Sequence, residues 1–167
     1  MSSPRPSLWF DNNAEEAIAF YISVFGDGEL LSSARMPEGG HAPAGTFLAG
    51  EFRLRDQVFA AMNGGPMFTF NEAISFVVDC KDQAEVDHFW DNLTADGGEE
   101  SQCGWLKDKF GLSWQIVPTR LMELLADADP ARATAVMQAM LQMHRIVIAD
   151  LEAAAASASP IPATAAT

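Results

Sequence analysis

The sequence has few of the residues that mark several common classes of protein. Its two cysteines, Cys80 and Cys103, do not form a C-x-x-C motif and have no zinc-type partner, so we expect free thiols in the core. Basic residues number 10 against 23 acidic ones and are scattered along the chain. Because nucleic-acid phosphates require clustered lysine and arginine, the net charge of -13 argues against a nucleic-acid partner.

Long apolar runs are also missing. No uninterrupted stretch approaches the roughly 18 apolar residues of a membrane span, and the N-terminal MSSPRPSLWF lacks the apolar segment of a signal peptide. The remaining composition, 49% hydrophobic and 20% charged in 167 residues, is typical of one globular domain. We therefore predict a cytoplasmic protein with no membrane partner, folded over residues 1–156 and followed by a disordered tail at 157–167.

Two similar segments follow one another in the chain. In the first, strand-like residues 8–10 precede a helix that Asn13 can cap and Gly26 ends, and three strand-like stretches lie between residues 29 and 63. In the second, the strand-like AISFVVDC precedes a helix capped by Asp82, and the strand-like EESQCGWLKD, a turn and the strand-like LSWQIVP follow. This pattern predicts two βαβββ modules, at about 5–65 and 71–118.

The stretch LSWQIVP contains an unusual residue for a strand. Its alternation places Gln115 on the inward side, where an unpaired amide would cost about 1 to 3 kcal/mol. Counting seven residues from Asp108 in LKD gives Gln115, and counting seven from Asp56 in LRD gives Asn63. We therefore interpret Asn63 and Gln115 as equivalent amides of the two modules.

After Pro118 the sequence becomes helical, and we predict C-terminal helices over residues 119–156. Pro130 suits the first turn of the second helix. Apolar residues at 136, 140, 143 and 147 recur at helical spacing, so we predict that this helix continues towards the tail. Its three methionines, Met137, Met140 and Met143, either pack in the core or offer an adaptable surface to a partner.

Four segments resemble, in this order, the PhnB-like subfamily of the vicinal oxygen chelate superfamily, which includes glyoxalase I and bleomycin-resistance proteins. They are LWFDNNAEEAIAFYISVFG, AMNGGPMFTFNEAISFVVDC, QCGWLKDKFGLSWQIVPT and VMQAMLQM. The subfamily is often described as 3-demethylubiquinone-9 3-methyltransferase. The resemblance, over roughly residues 5–155, implies an α+β fold in which two βαβββ modules form a cupped mixed sheet, with C-terminal helices. It also implies a homodimer, because members commonly pair modules across chains.

In this superfamily a divalent metal is typically held by one His or Glu from each of four strands. The resemblance places these positions at Pro6, Asn63, Ser75 and Gln115, which offer no anion and no imidazole. We therefore predict no metal and no cofactor. Methyl transfer is not supported either, because neither DNNAEE nor DCKDQAE contains the glycine-rich turn of an S-adenosylmethionine-binding domain.

Without a metal, we predict that the inside of the cup is a pocket for a small polar or aromatic ligand. Its lining residues would be Asn63, Ser75, Cys103, Trp105 and Gln115. The alternative is a filled core in which the amides satisfy one another or ordered water. The predicted function is a small-molecule-binding protein or a metal-independent enzyme; the alternative function is a non-catalytic dimeric module that recruits a partner through the Met-rich C-terminal helices.

No catalytic residue is assigned. Cys103 has no activating base placed near it by the sequence, and a thiol without one is mostly protonated at neutral pH. His41 lies in the loop at 37–45, PEGGHAPAG, which either closes over the pocket or stays a solvated surface loop. We interpret His88 and His144 as surface residues.

Overall fold

The structure, a computed structural model, describes residues 4–40 and 42–158. His41 and residues 159–167 lie outside the described residues, and with them the prediction of a closing histidine and most of the predicted tail. The chain divides into two compact units, Met1–Phe70 and Asn71–Thr167, called here the first and the second unit. Each unit contains one of the two predicted modules.

The first unit contains the predicted strand, helix and three strands. These are β1 (Ser7–Phe10), α1 (Ala14–Phe25), β2 (Glu29–Arg35), β3 (Phe47–Leu54) and β4 (Gln57–Asn63). The strands form a mixed sheet in the order β1-β4-β3-β2, with β1 and β4 parallel. The helix covers one face of this sheet, because its apolar residues recur at helical spacing. Tyr21 of α1 stacks on Phe52, which stacks on Phe59 of β4.

The second unit repeats this arrangement. Its module consists of β5 (Phe76–Cys80), α2 (Gln83–Thr94), β6 (Glu99–Glu100), β7 (Trp105–Lys107) and β8 (Ser113–Pro118). The sheet order is β5-β8-β7-β6, with β5 and β8 parallel. The predicted single strand EESQCGWLKD is divided into β6 and β7, because Cys103 and Gly104 between them have positive φ angles of 60° and 83°. The α+β prediction of two βαβββ modules is confirmed.

The two module helices begin differently. Asp82 caps α2 as predicted, since its side chain accepts a hydrogen bond from the Glu85 N–H at 2.9 Å. Asn13 occupies the cap position of α1, but its side chain makes no capping hydrogen bond. The Ala14 N–H donates instead to the side-chain oxygen of Asn63, at 2.8 Å. The helix is therefore capped by the last residue of β4 rather than by the residue before it.

Three helices follow the second module: α3 (Thr119–Leu125), α4 (Pro130–Met140) and α5 (Ile148–Ser157). Pro130 stands in the first turn of α4, as predicted. The prediction of one helix from there to residue 156 is wrong, because the chain leaves the helix between Met140 and Ile148. In that segment the carbonyls of Met143 and His144 accept hydrogen bonds from residues 103 and 104, so they are not available to a continuing helix.

The C-terminal helices have a small core of their own, formed by Leu121, Leu124, Val136, Ile146, Leu151 and Ala155. Met140 and Met143 pack against it, whereas Met137 is 42% exposed. Two of the three methionines considered as a partner surface are therefore largely structural. Within residues 4–40 and 42–158, no helix has the length and apolar character needed to cross a membrane.

Candidate functional site

Gln115 lies in the middle of the second sheet, on the face that points away from α2. The neighbouring strand residues Trp114 and Ile116 are buried on the opposite face, which α2 covers. Across the strands, Gln115 is directly opposite Val77 of β5 and Trp105 of β7. Val77 is 54% exposed, and both Gln115 and Trp105 are half-buried. One sheet face therefore presents an amide, an indole and an apolar side chain in a single row.

The side chain of Gln115 uses only part of its hydrogen-bonding capacity within the protein. Its Nε2 donates to the Ser75 hydroxyl at 2.8 Å, and no donor among the described residues reaches its Oε1. The structure thus brings together three of the predicted site residues, Ser75, Trp105 and Gln115. Beyond this bond, the three side chains offer a ligand the Gln115 Oε1 and second amide N–H, the Ser75 hydroxyl and the Trp105 indole N–H.

Asn63 has a different role in the first unit. Its Oδ1 accepts from the Ala14 N–H at 2.8 Å, and its Nδ2 donates to the Phe47 carbonyl at 3.0 Å. It shares the helix-facing side of β4 with Phe59 and Ala61, both of which are buried. The amide therefore joins the start of α1 to the start of β3.

The interpretation of Asn63 and Gln115 as equivalent amides is wrong. The last residues of the parallel first strands, Phe10 and Cys80, pair with Asn63 and Pro118. In this register Gln115 corresponds to Ala60, and the two amides lie on opposite faces of their sheets. The cause is the hairpin before each strand: two residues join β3 to β4, whereas five join β7 to β8, so counting from the aspartates does not preserve the register.

Cys103 stands outside the row that contains Gln115. It lies in the turn between β6 and β7, and its N–H donates to the Met143 carbonyl at 2.7 Å. Its half-buried thiol forms no hydrogen bond with any other described residue. The structure therefore places Cys103 in the turn two residues before Trp105, and no base among the described residues forms a hydrogen bond with its thiol.

Three residues beside this row were not among the predicted site residues. Lys107 and Ser113 lie directly opposite each other, one row further along β7 and β8. Glu72 forms an ion pair with the Lys107 ammonium at 2.5 Å, and this hydrogen bond raises the pKa of the lysine and lowers the pKa of Glu72. Ser113 was detectable from the sequence, because it has the same alternation as Gln115; Glu72 precedes β5 and carried no such signal.

Asp108 fixes the hairpin on which this face is built. Its buried carboxylate accepts hydrogen bonds from the Phe110 and Leu112 N–H groups at 2.9 and 3.0 Å. Its second oxygen accepts from the Trp114 indole at 2.8 Å. A buried carboxylate is tolerated only with several such donors. The sequence indicated a turn at this position but not the burial of the carboxylate.

The corresponding face of the first sheet has different chemistry. The row that matches Val77, Gln115 and Trp105 consists of Ser7, Ala60 and Glu51. An ion pair between Arg5 and Glu51 lies at this face, beside a groove of about 410 Å³. Small side chains and a charge pair therefore replace the amide and the indole.

The metal positions implied by the superfamily do not fit a transition metal. Pro6 has no side-chain donor atom, and both ends of the Asn63 amide are bonded to backbone groups. Ser75 and Gln115 are bonded to each other and supply only neutral oxygens. Elsewhere in the part of the chain that the structure describes, no three His, Cys, Asp or Glu side chains are grouped as metal ligands. No step proposed below passes through a metal.

Comparison with known proteins places the chain in a family. Residues 3–117 match the family model described as 3-demethylubiquinone-9 3-methyltransferase. A PhnB protein from Bacillus cereus has a solved structure with 32% sequence identity and a TM-score of 0.65, and the match covers 71% of this chain and 100% of that one. No curated protein matches the chain.

Two more distant structures show the same fold. Protein PA1353 from Pseudomonas aeruginosa is 19% identical, with a TM-score of 0.58 and coverage of 71% of this chain and 98% of its own. The fosfomycin resistance protein FosX from Mesorhizobium loti is 13% identical, with a TM-score of 0.54 and coverage of 75% and 98%. The family match spans both βαβββ modules and ends before α3. The chain therefore belongs to the PhnB-like family, described as 3-demethylubiquinone-9 3-methyltransferase, and has the vicinal oxygen chelate fold.

Proposed function

We propose that this chain binds a small polar or aromatic molecule on the second-sheet face formed by Ser75, Trp105 and Gln115, without a transition metal. The observation that carries the proposal is the Gln115 amide, whose nitrogen is held by Ser75 while its oxygen has no donor among the described residues. This amide lies directly opposite Trp105. An oriented amide oxygen fixes the position of a ligand, and an indole supplies a flat apolar surface. Small-molecule sites combine these two features.

Cys103 and Asn63, the other two predicted site residues, do not form polar contacts with the ligand in this proposal. Cys103 would border the ligand with a half-buried thiol, as a packing residue rather than a nucleophile. Asn63 has no unused amide group, because Ala14 and Phe47 occupy both of its ends. We therefore assign Asn63 to the support of α1 and β3, and the ligand contacts to the second unit.

The proposal does not extend to the methyl transfer in the family description. The connections from β1 to α1 and from β5 to α2 consist of residues 11–13 and 81–82, which include no glycine. A nucleotide-type cofactor needs a glycine-rich turn there so that the backbone can approach it closely. Each sheet is also mixed, with one parallel pair of strands. These features support binding, or a metal-independent reaction, in place of a Rossmann-like transferase.

A homodimer is part of the same proposal. Several large apolar side chains are exposed in the chain, among them Leu30, Leu31, Met67, Phe68 and Ile74. Apolar surface of this kind favours association with a second copy. Light scattering at micromolar concentration should give about twice the chain mass of 18.0 kDa, and a monomer would contradict the proposal.

A thermal-shift screen with small metabolites tests the proposed site, since a ligand that binds only the folded state raises the melting temperature. Gln115→Leu should abolish the shift that any active compound gives with the wild type. Gln57→Leu is the matched control, because Gln57 is an exposed glutamine of the first sheet whose amide bonds only the Val58 carbonyl. The control should keep the full shift. An unchanged shift in Gln115→Leu would show that the ligand binds elsewhere.

A further inference from the structure

The second unit contains a small cavity beside the proposed ligand face. Its volume is about 140 Å³, and its lining includes Glu72, Glu99, Glu100, Trp105, Lys107 and Ser113. A cavity of about 150 Å³ accommodates a molecule the size of benzene. Only a very small ligand, or one group of a larger ligand, fits here.

Ser113 gives the reason to expect an occupant. Its side chain is 1% exposed, and its hydroxyl has no hydrogen-bond partner among the described residues. Buried hydroxyls in native proteins are nearly always hydrogen-bonded, to protein or to water. Lys107, the residue directly opposite on β7, forms its ion pair with Glu72. A polar group in the cavity would supply the partner that Ser113 lacks.

The charge of the lining selects the kind of polar group. Three carboxylates, those of Glu72, Glu99 and Glu100, line the cavity with a single ammonium, that of Lys107. Lys107 pairs with Glu72, and the Trp90 indole donates to Glu100 at 2.8 Å. Glu99 lies opposite Lys107 in the β6–β7 pairing, where its charge, after the Glu72 hydrogen bond, helps to raise the pKa of the lysine, but it forms no hydrogen bond or close ion pair among the described residues. Although the His144 ring also lies 3.7 Å from Glu100, the lining of three carboxylates and one ammonium has a net negative charge and disfavours anions.

We propose that this cavity binds a small organic ammonium group, which would belong to the ligand of the proposed function. Glu99 would offset the positive charge, and the Ser113 hydroxyl would accept one of its N–H groups. The ring of Trp105 would add a cation–π contact, which is strongest with tryptophan. This inference rests on the proposed function for its location on the same face; it shares Trp105 with that site, but its polar contacts, Glu99 and Ser113, are separate from Gln115 and Ser75.

Binding of n-butylammonium, with 1-butanol as the neutral probe of the same size, tests the proposal on the full chain. Amide and indole signals in ¹H–¹⁵N spectra should shift at Ser113, Lys107 and Trp105 with a dissociation constant of about 1 mM, as expected for so few atoms. Butanol should bind at least about tenfold more weakly. The Trp105 indole signal is identified by its loss in Trp105→Phe.

Three variants separate the ammonium contacts from general effects. Ser113→Ala should weaken butylammonium binding about tenfold and Glu99→Gln about threefold, because each removes one partner of the charge. Glu38→Gln, which neutralises an exposed loop carboxylate of the first unit, should change nothing. Equal affinity for butanol, no shifts up to about 10 mM, or unchanged binding in both cavity variants would overturn the proposal.

The Gln115→Leu variant distinguishes this inference from the proposed function. It should leave butylammonium binding intact while it abolishes the shift from any metabolite in the thermal screen. If a metabolite binds through Gln115 but butylammonium does not bind, the ammonium inference fails and the proposed function stands. If butylammonium binds as expected but Gln115→Leu has no effect on any metabolite, the proposed function fails instead.

Discussion

The two modules share one topology, yet they use their amide side chains in opposite ways. In the first, Asn63 faces the helix and bonds two backbone groups, the Ala14 N–H and the Phe47 carbonyl. In the second, Gln115 faces away from the helix and bonds one side chain, that of Ser75. The difference shows that a repeated fold does not impose repeated roles, because the two hairpins, of two and five residues, differ by an odd number and so place the counted side chain on opposite faces of the two sheets.

The contrast between the modules extends to how each hairpin is held. Arg55 and Asp56 form a tight two-residue connection at the surface of the first unit. The five residues 108–112 of the second unit are organised around the buried carboxylate of Asp108. The longer hairpin needs this internal support, and it is the hairpin that displays Gln115.

The largest effect should come from breaking this support. Asp108→Ala removes an acceptor that three buried or partly buried donors share, and we expect a loss of about 3 to 5 kcal/mol in the free energy of unfolding. Asp56→Ala is the matched control in the first hairpin, and it should stay within about 0.5 kcal/mol because Asp56 is exposed. Urea unfolding of both variants measures the difference. Similar values for the two would show that the hairpins are held in the same way.

Removal of the first amide should have the next largest effect. Asn63→Leu leaves the Ala14 N–H and the Phe47 carbonyl without their partners, which should cost about 1 to 3 kcal/mol. Urea unfolding again provides the measurement, with Asn12→Leu as a control at an exposed position nearby. If Asn63→Leu is as stable as the wild type, Asn63 does not have the structural role described here.

The start of α2 offers a smaller test of the same contrast. Its first residue is Gln83, whose amide donates to the Ile146 carbonyl at 3.1 Å and accepts from the Ile148 N–H at 2.9 Å. The first residue of α1 is Ala14, which depends on Asn63 instead. Gln83→Ala should therefore cost about 1 to 2 kcal/mol.

Hydrogen exchange shows where the Gln83→Ala variant loosens. We expect faster exchange in α5 and in residues 141–147, which Gln83 connects to α2, and no change in the first unit. Faster exchange in β1–β4 would contradict this local role, since no described hydrogen bond links Gln83 to those strands.

The smallest effect concerns the ion pair beside Ser113. The hydrogen bond from Lys107 holds the pKa of Glu72 below its ordinary value of 4.5. Since the folded-state pKa is lowered, the pair adds stability above about pH 4.5, which is lost as the pH falls through the folded-state value. Glu72 is exposed and the Lys107 side chain is 33% exposed, so solvent screening keeps the contribution small. Lys107→Met should raise the pKa of Glu72 towards 4.5 in an NMR titration, whereas Lys109→Met should leave it lowered.

The repeated elements were predictable because their signals are local. The Asp82 cap, the Gly26 helix end and the alternation of β8 each follow from a few neighbouring residues, and the structure has all three. The break between α4 and α5 was not predictable, because apolar residues continue at helical spacing through the segment. The helix ends because of long-range hydrogen bonds, in which the Cys103 and Gly104 N–H groups donate to backbone carbonyls in this segment.

The candidate site was predictable only in part for the same reason. Trp105 and Gln115 follow from strand alternation, which is a local signal, whereas Ser75 came from the family resemblance; the structure brings the three together. Whether Asn63 and Gln115 occupy equivalent positions depends on the strand register after two hairpins of different length. Equal counts along the sequence do not give that register. The partnership of Glu72 with Lys107 joins residues 35 positions apart and has no sequence pattern at all.

The proposed function assigns Gln115 to a ligand, whereas Asn63 supports the fold, and one paired experiment tests this contrast most directly. Urea unfolding and ligand thermal shift are measured together for Gln115→Leu and Asn63→Leu. We expect Gln115→Leu to unfold within about 0.5 kcal/mol of the wild type and to lose the ligand, because it replaces a half-committed amide with an apolar group of similar size. Asn63→Leu should lose about 1 to 3 kcal/mol and keep the ligand affinity of its folded state. A clearly destabilised Gln115→Leu that binds its ligand normally would mean that both amides are structural.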